Sequence, residues 1–131
     1  HNDSHKFESN FVSLEIPKNN SVMFGSLSGT KLGVWVAHGE GKFEFPYEEK
    51  EYNIIAKYNY DGYPANPNGS PWSGAGVCSK DGRHLAMMPH PERAIFPWQC
   101  GYYPADRKEN DEVTPWIEAF VNARKWIENN K

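Results

Sequence analysis

The 131-residue sequence has little of the cysteine, basic charge and continuous hydrophobicity that mark several protein classes. Its two cysteines, Cys78 and Cys100, are too few for the disulfide framework of a small secreted domain, which favours a reducing, cytoplasmic setting. The 14 basic and 17 acidic side chains give a net charge of -3 and no basic stripe, so nucleic-acid binding is not expected. No apolar run approaches the ~20 residues that cross a bilayer, so a soluble protein without membrane contact is expected.

The length is enough for one compact core. The chain opens on His1 rather than Met, and residues 1–5 show neither the basic nor the apolar part of a signal peptide. We therefore expect residues 1–131 to be one domain, or a piece of one, cut from a longer protein.

Three segments have the pattern of strands. Apolar residues alternate with polar ones over 7–16, a short apolar run covers 32–37, and β-branched and aromatic residues fill 52–58. The pair Asp81-Gly82 between two short apolar runs predicts a hairpin. Residues 94–113 are expected to be irregular, and Thr114 followed by Pro115 predicts the N-cap and first turn of an amphipathic closing helix.

The segment most suggestive of chemistry is His90-Pro91-Glu92, which follows the second strand of the predicted hairpin. Flanking prolines restrict the backbone, so that Glu92 can orient the ring of His90. An imidazole held by a carboxylate can take a proton from a thiol and return it to a leaving amine. A hydrogen-bonded turn histidine with Glu92 in solvent is the plainer alternative.

A second His-x-Glu pair, His38 and Glu40, follows another predicted strand. Two such pairs raise the alternative of a zinc site, although no His-x-x-x-His or cysteine pair anchors one. Close backbone approach at the glycines, or a plain structural turn, is favoured over a metal site. Neither Cys78, inside a hairpin strand, nor Cys100, in an irregular loop, lies on the strand-to-helix turn typical of a nucleophilic thiol.

Several segments, in the same order, resemble one family closely: residues 3–11, 38–41, 63–71, 81–83, 87–93 and 116–125. They resemble the class I glutaminase domain of formylglycinamide ribonucleotide amidotransferases, also called phosphoribosylformylglycinamidine synthases, in the large single-chain form. The resemblance implies an α/β fold, namely part of a flavodoxin-like glutamine amidotransferase sheet with a hairpin and a C-terminal helix. It also implies a ligase that hydrolyses glutamine for ammonia, using ATP and magnesium in a separate synthetase domain for purine biosynthesis.

By the same resemblance His90 is the base and Glu92 its orienting acid, while Asn68, Gly69, Ser70 and His38 are substrate-binding residues. The family's nucleophilic cysteine precedes the segment that resembles residues 3–11, so the chain alone is expected to lack glutaminase activity, with no cofactor or metal of its own. Its expected partners are glutamine, the synthetase and upstream glutaminase segments, and a second copy through an exposed sheet edge. A non-catalytic, aromatic-rich binding or docking module is the alternative.

Overall fold

The computed structural model describes residues 1–131, whose strands form one five-stranded sheet. The strands are β1 (Glu8–Glu15), β2 (Lys31–His38), β3 (Asn53–Tyr58), β4 (Gly74–Cys78) and β5 (Leu85–Met87). Their order across the sheet is β2-β1-β3-β4-β5. All three strands predicted before the hairpin are confirmed. The alternating apolar positions of β1 and β2 face the core.

Every neighbouring pair of strands in this sheet is antiparallel. A mixed α/β fold is confirmed, but the described strands do not form the parallel ladder of a flavodoxin-like sheet. Parallel neighbours need crossover connections, usually long helices, whereas only short 3-10 turns lie between the strands of this chain.

The predicted hairpin is present, with Cys78 of β4 opposite Leu85 of β5. Ser79 donates its backbone N–H to His84 at 2.9 Å, and Gly82 donates to Ser79 at 3.0 Å. Gly82 has a φ of 76°, and a Cβ there would come within 2.2 Å of the Asn20 carbonyl oxygen. Glycine is therefore required both by the backbone conformation and by the close approach.

The closing helix is confirmed as α2 (Ile117–Asn129), but its predicted cap is wrong. The Thr114 hydroxyl donates to the carbonyl oxygen of Ala94 at 2.5 Å and caps no helical N–H. Residues 94–113 are also more regular than predicted, since they contain a 3-10 helix at Pro97–Gln99 and α1 at Ala105–Lys108. No helix is long and apolar enough to cross a membrane.

Fourteen buried hydrophobic residues form the core between the sheet and α2. They are Val12, Leu14, Ile16, Phe24, Leu27, Val34, Val36, Ile55, Ala56, Tyr58, Ala75, Ala94, Trp116 and Ala119. Trp116 is 1% exposed, and its indole N–H donates to the Gly33 carbonyl of β2 at 2.8 Å. Burying so large a side chain stabilises the fold by roughly 3 kcal/mol and fixes α2 against the sheet.

Candidate functional site

The backbone of His90 is anchored to the edge of the sheet. Its N–H donates to the carbonyl oxygen of Trp35 in β2 at 2.8 Å, and the two residues form an isolated antiparallel bridge. The chain then turns through a 3-10 helix, Pro91–Arg93, and Arg93 donates its N–H back to the His90 carbonyl at 3.1 Å. Hydrogen bonds on both sides thus fix the position of residue 90.

The side chains of His90 and Glu92 meet as predicted. Nδ1 of His90 lies 2.7 Å from Oε1 of Glu92, and the two side chains are 30% and 54% exposed. A carboxylate only accepts hydrogen bonds, so Nδ1 is the donor and Nε2 keeps its lone pair. No protein group is bonded to Nε2 of His90, which leaves it available to take a proton.

His38 is buried at the end of β2, where Asn2 holds it in place. Oδ1 of Asn2 lies 3.1 Å from Nδ1 of His38 and also accepts the Gly41 N–H at 3.0 Å. The Asn2 amide group donates to the His38 carbonyl at 2.7 Å. An oxygen that accepts from Gly41 is an acceptor for the ring as well, so the proton of the neutral imidazole is on Nδ1. Sequence patterns gave no signal for this role of Asn2, because its contacts with His38 and Gly41 join residues 36 and 39 positions apart.

The environment of His38 keeps its ring neutral. Burial lowers the pKa of His38 from 6.5, and a proton on the nearby His90 ring would lower it further. A backbone hydrogen bond and the charge of Glu8 act in the opposite direction but are smaller effects than the burial. His38 therefore lies within electrostatic reach of both Glu8 and His90.

The side chains of the second His-x-Glu pair, His38 and Glu40, do not contact each other. The Glu40 side chain is 76% exposed and lies 3.4 Å from His1, not beside His38. Nowhere does the chain bring three His, Cys, Asp or Glu side chains together in a group suited to a metal ion. The geometry therefore gives the zinc alternative no support.

The loop over residues 63–71 is held by its own amides. Asn68 is fully buried and donates to the Gly41 carbonyl at 2.7 Å and the Tyr58 hydroxyl at 3.2 Å, while its Oδ1 accepts the Ser70 N–H at 3.0 Å. Ser70 is also buried, and its hydroxyl accepts the Phe43 N–H. The amide of Asn68 and the hydroxyl oxygen of Ser70 thus already have partners inside the protein, and their role in binding substrate stays a prediction.

Gly69 lies at the open side of this loop. Its φ is 78°, and together with Asp3, Lys6 and Tyr63 it lines a surface cavity of about 550 Å³. His90, Glu92 and His38 line none of the five principal cavities. None of these cavities joins the loop to the histidines. The loop is linked to the segment after His38 by the hydrogen bond from Asn68 to the Gly41 carbonyl.

No hydrogen bond joins either cysteine to a histidine. The Cys100 thiol lies against the carbonyl oxygens of Ala94 and Phe96, and burial raises its pKa. Cys78 lies within β4. A raised thiol pKa disfavours the thiolate that acts as a nucleophile, in agreement with the sequence analysis.

The aromatic residues of the chain pack mainly on one another. Ring centroids lie 5.4 Å apart for Phe43 and Phe45, 5.1 Å for Phe45 and Trp72, and 4.8 Å for Phe45 and Tyr52. This packing stabilises the connection between β2 and β3. A solvent-facing aromatic patch remote from His90, together with a divergent His90 and Glu92, would favour the docking-module alternative. Trp98 and Tyr102 are exposed, but His90 and Glu92 meet at 2.7 Å, which favours the catalytic interpretation.

The carboxylate-oriented histidine suits amide hydrolysis, and comparison with known proteins identifies the class of protein. The chain belongs to the CobB/CobQ-like glutamine amidotransferase domain family, which matches residues 1–127. Within that class it is homologous to a segment of phosphoribosylformylglycinamidine synthase. It is 43% identical over 142 residues to a probable phosphoribosylformylglycinamidine synthase, chloroplastic/mitochondrial, of Arabidopsis thaliana, and 42% identical over 138 residues to the phosphoribosylformylglycinamidine synthase of Homo sapiens.

These matches cover 98% and 96% of the chain but 10% of each relative, so the chain spans about a tenth of their length. Among solved structures, PurLQS from Thermotoga maritima matches with a TM-score of 0.72 and 25% identity. That match covers 96% of this chain and 50% of the other.

Proposed function

We propose that residues 1–131 are the C-terminal portion of the glutaminase domain of a phosphoribosylformylglycinamidine synthase. In this proposal the whole protein hydrolyses glutamine and uses the ammonia to convert formylglycinamide ribonucleotide to formylglycinamidine ribonucleotide. The observation that carries the proposal is the 2.7 Å contact between His90 and Glu92 on a backbone fixed to β2. The family membership supports the choice of amide hydrolysis as the chemistry.

The proposed mechanism assigns one task to each side chain. Nε2 of His90 takes the proton of a cysteine thiol that another part of the domain supplies, and the thiolate attacks the side-chain amide carbon of glutamine. The imidazolium then gives its proton to the departing nitrogen, ammonia leaves, and water hydrolyses the thioester to glutamate. Glu92 accepts from Nδ1 throughout, so it keeps Nε2 in the correct tautomer and stabilises the imidazolium.

The loop over 63–71 is proposed to line the glutamine pocket. Since the side chains of Asn68 and Ser70 are bonded within the protein, they hold the loop in shape, and Gly69, whose N–H is bonded to Asn66, lines the cavity beside it. His38 is proposed to contact substrate from the end of β2, where its Nε2 has no partner. A buried acceptor without a donor is costly, which supports a ligand contact at that atom.

The chain by itself is proposed to be inactive, because neither Cys78 nor Cys100 has a histidine partner. ATP and magnesium belong, in this proposal, to a synthetase part of the whole protein, with which residues 1–131 associate. A cytoplasmic location is proposed for this protein, although the Arabidopsis relative is described as chloroplastic/mitochondrial. Self-association through the edge strand β2 is a further proposal, which sedimentation at high concentration tests.

Complementation in trans tests the proposed function. Residues 1–131 are mixed with the preceding part of a relative's amidotransferase domain, which contains its nucleophilic cysteine, and glutamate release is measured. We expect activity only from the mixture, with a loss of at least about a thousandfold for His90→Ala. The matched control is His84→Ala, since the His84 side chain is 80% exposed on the hairpin. Equal activity of the His90→Ala and His84→Ala mixtures would contradict the proposal.

A further inference from the structure

Two buried acceptors at the end of the β1–β2 ladder have no hydrogen-bond partner: Oε1 of Glu8 and Nε2 of His38. Glu8 and His38 are directly opposite each other on antiparallel strands, so their side chains lie on the same face of the sheet. His38 is 7% exposed. Because the ring proton is on Nδ1, bonded to Asn2, Nε2 can only accept, as can an ionised carboxylate.

The two acceptors do not satisfy each other. No ion pair within 4.0 Å joins Glu8 to His38, yet the charge of Glu8 acts on the His38 ring. When one small group donates a hydrogen bond to each of two acceptors, the acceptor atoms are about 4.5 to 5.5 Å apart, because the two bonds meet at an angle. The two side chains are farther apart than an ion pair yet share one face at the same position of the ladder, which suits one bridging group.

Charge selects the kind of group. No lysine, arginine or protonated amine is within ion-pair distance of Glu8, and its other oxygen has only a 3.5 Å contact with the Tyr63 hydroxyl. A buried carboxylate oxygen without a counter-ion is costly, so a cationic donor is favoured over water. A potassium ion has the positive charge but no N–H to donate to the imidazole lone pair. An ammonium group has both the positive charge and the N–H donor.

We propose that Glu8 and His38 form a subsite for an ammonium group, held between Oε1 of Glu8 and Nε2 of His38. This inference rests on the proposed function, which supplies two sources of that chemistry: the α-ammonium of glutamine and the ammonium ion formed from the released ammonia. The subsite lies within electrostatic reach of His90, and Tyr63 joins Glu8 to the start of the 63–71 loop.

Nitrogen NMR of the 131-residue chain tests the subsite. The Nε2 resonance of His38 is followed in ¹⁵N-labelled protein during matched additions of ammonium chloride and potassium chloride. We expect ammonium to move the Nε2 resonance upfield to saturation, because a donor then bonds its lone pair, and potassium to leave it unchanged. If the subsite holds only water, the two salts will give identical responses. That result would overturn the proposal unless glutamine produces the shift.

Two further arms identify the source and the residue. Glutamine is compared with 4-carbamoylbutanoate, which lacks the α-amine: a shift with glutamine alone assigns the α-ammonium, and a shift with free ammonium assigns the product ion. Absence of a shift with both glutamine and ammonium overturns the proposal. Glu8→Gln carries its own N–H donor and no charge, so we expect at least about a tenfold loss of affinity. Glu15→Gln, exposed at the other end of β1, is the matched control and should bind as the wild type does.

This measurement is separate from the complementation test. It reads binding at Glu8 and His38, whereas glutamate release reads the chemistry of His90. An ammonium-dependent shift together with an inactive mixture would contradict the proposed function alone. An active mixture without any shift would contradict the subsite alone.

Discussion

Nδ2 of Asn68 lies 2.7 Å from the carbonyl oxygen of Gly41, which ties the 63–71 loop to the segment that follows His38. The same amide reaches the Tyr58 hydroxyl at the end of β3. One side chain thus connects three segments around the candidate site, so the shape of the loop depends on the folded sheet.

We predict that Asn68→Ala destabilises the protein by about 3 kcal/mol. The change leaves the Gly41 carbonyl and the Ser70 N–H without partners in a buried place. The free energy of unfolding in urea measures the effect. Asn110→Ala is the matched control, since Asn110 is exposed and bonds only the Asp106 carbonyl, and should cost less than about 0.5 kcal/mol. Equal losses for the two variants would show that Asn68 does not bridge the three segments.

A second prediction concerns pH and His38. Burial holds its folded-state pKa below 6.5, so below pH 6.5 the unfolded chain binds a proton that the folded chain does not. Stability therefore falls as the pH drops from 6.5 toward the folded pKa, and His38→Gln should reduce that slope by up to one proton. Urea unfolding between pH 7.5 and 5.5 measures the slope. A slope unaffected by His38→Gln would refute the buried neutral ring.

Local signals in the sequence were sufficient for most of the fold. Alternation located β1, the apolar run located β2, and Asp81-Gly82 located the hairpin, because each depends on neighbouring residues. The direction of strand pairing was not readable, since it depends on contacts distant in the sequence, such as Leu14 opposite Tyr58. The helix cap failed for the same reason, because the Thr114 hydroxyl bonds Ala94 instead of its own helix.

The candidate site was predictable to a similar extent. His90 and Glu92 are two residues apart and bracketed by proline, so their contact follows from local geometry. The partners of His38 were not predictable, because Asn2 and Glu8 reach it only after β1 and β2 pair. Nor could the sequence show that the side-chain amide of Asn68 makes its hydrogen bonds within the protein.

The hairpin turn gives a third prediction. Gly82→Ala should destabilise the protein by roughly 2 kcal/mol or more, because it combines positive φ with a clash against the Asn20 carbonyl. Gly29→Ala has positive φ but open space and should cost about 1 kcal/mol, while Gly62→Ala has neither problem. Thermal unfolding of the three variants separates backbone strain from steric contact. Equal stability of Gly82→Ala and Gly62→Ala would be the contrary result.

Tyr103 gives a fourth prediction, at alkaline pH. Burial of the phenol, followed by its hydrogen bond to Asp111, raises the pKa of Tyr103 to about 12. The stability from this raised pKa is complete below pH 10 and is lost between pH 10 and about 12. In an NMR titration of the tyrosine ring carbons, Asp111→Asn should lower the pKa of Tyr103. Asp106→Asn, on the neighbouring turn of α1, should not, and equal effects of the two substitutions would contradict the assignment.

The central claim is that His90 and Glu92 act as one catalytic unit toward a thiol from elsewhere in the domain. The most direct test is a double-mutant cycle on glutamate release in the complemented glutaminase, with His90→Ala, Glu92→Ala and the double variant. Groups that act as a unit lose activity non-additively. We predict losses of at least about a thousandfold for His90→Ala and at least about a hundredfold for Glu92→Ala, and no further loss in the double variant beyond His90→Ala. Independent, multiplying losses, or wild-type rates in either single variant, would contradict the account.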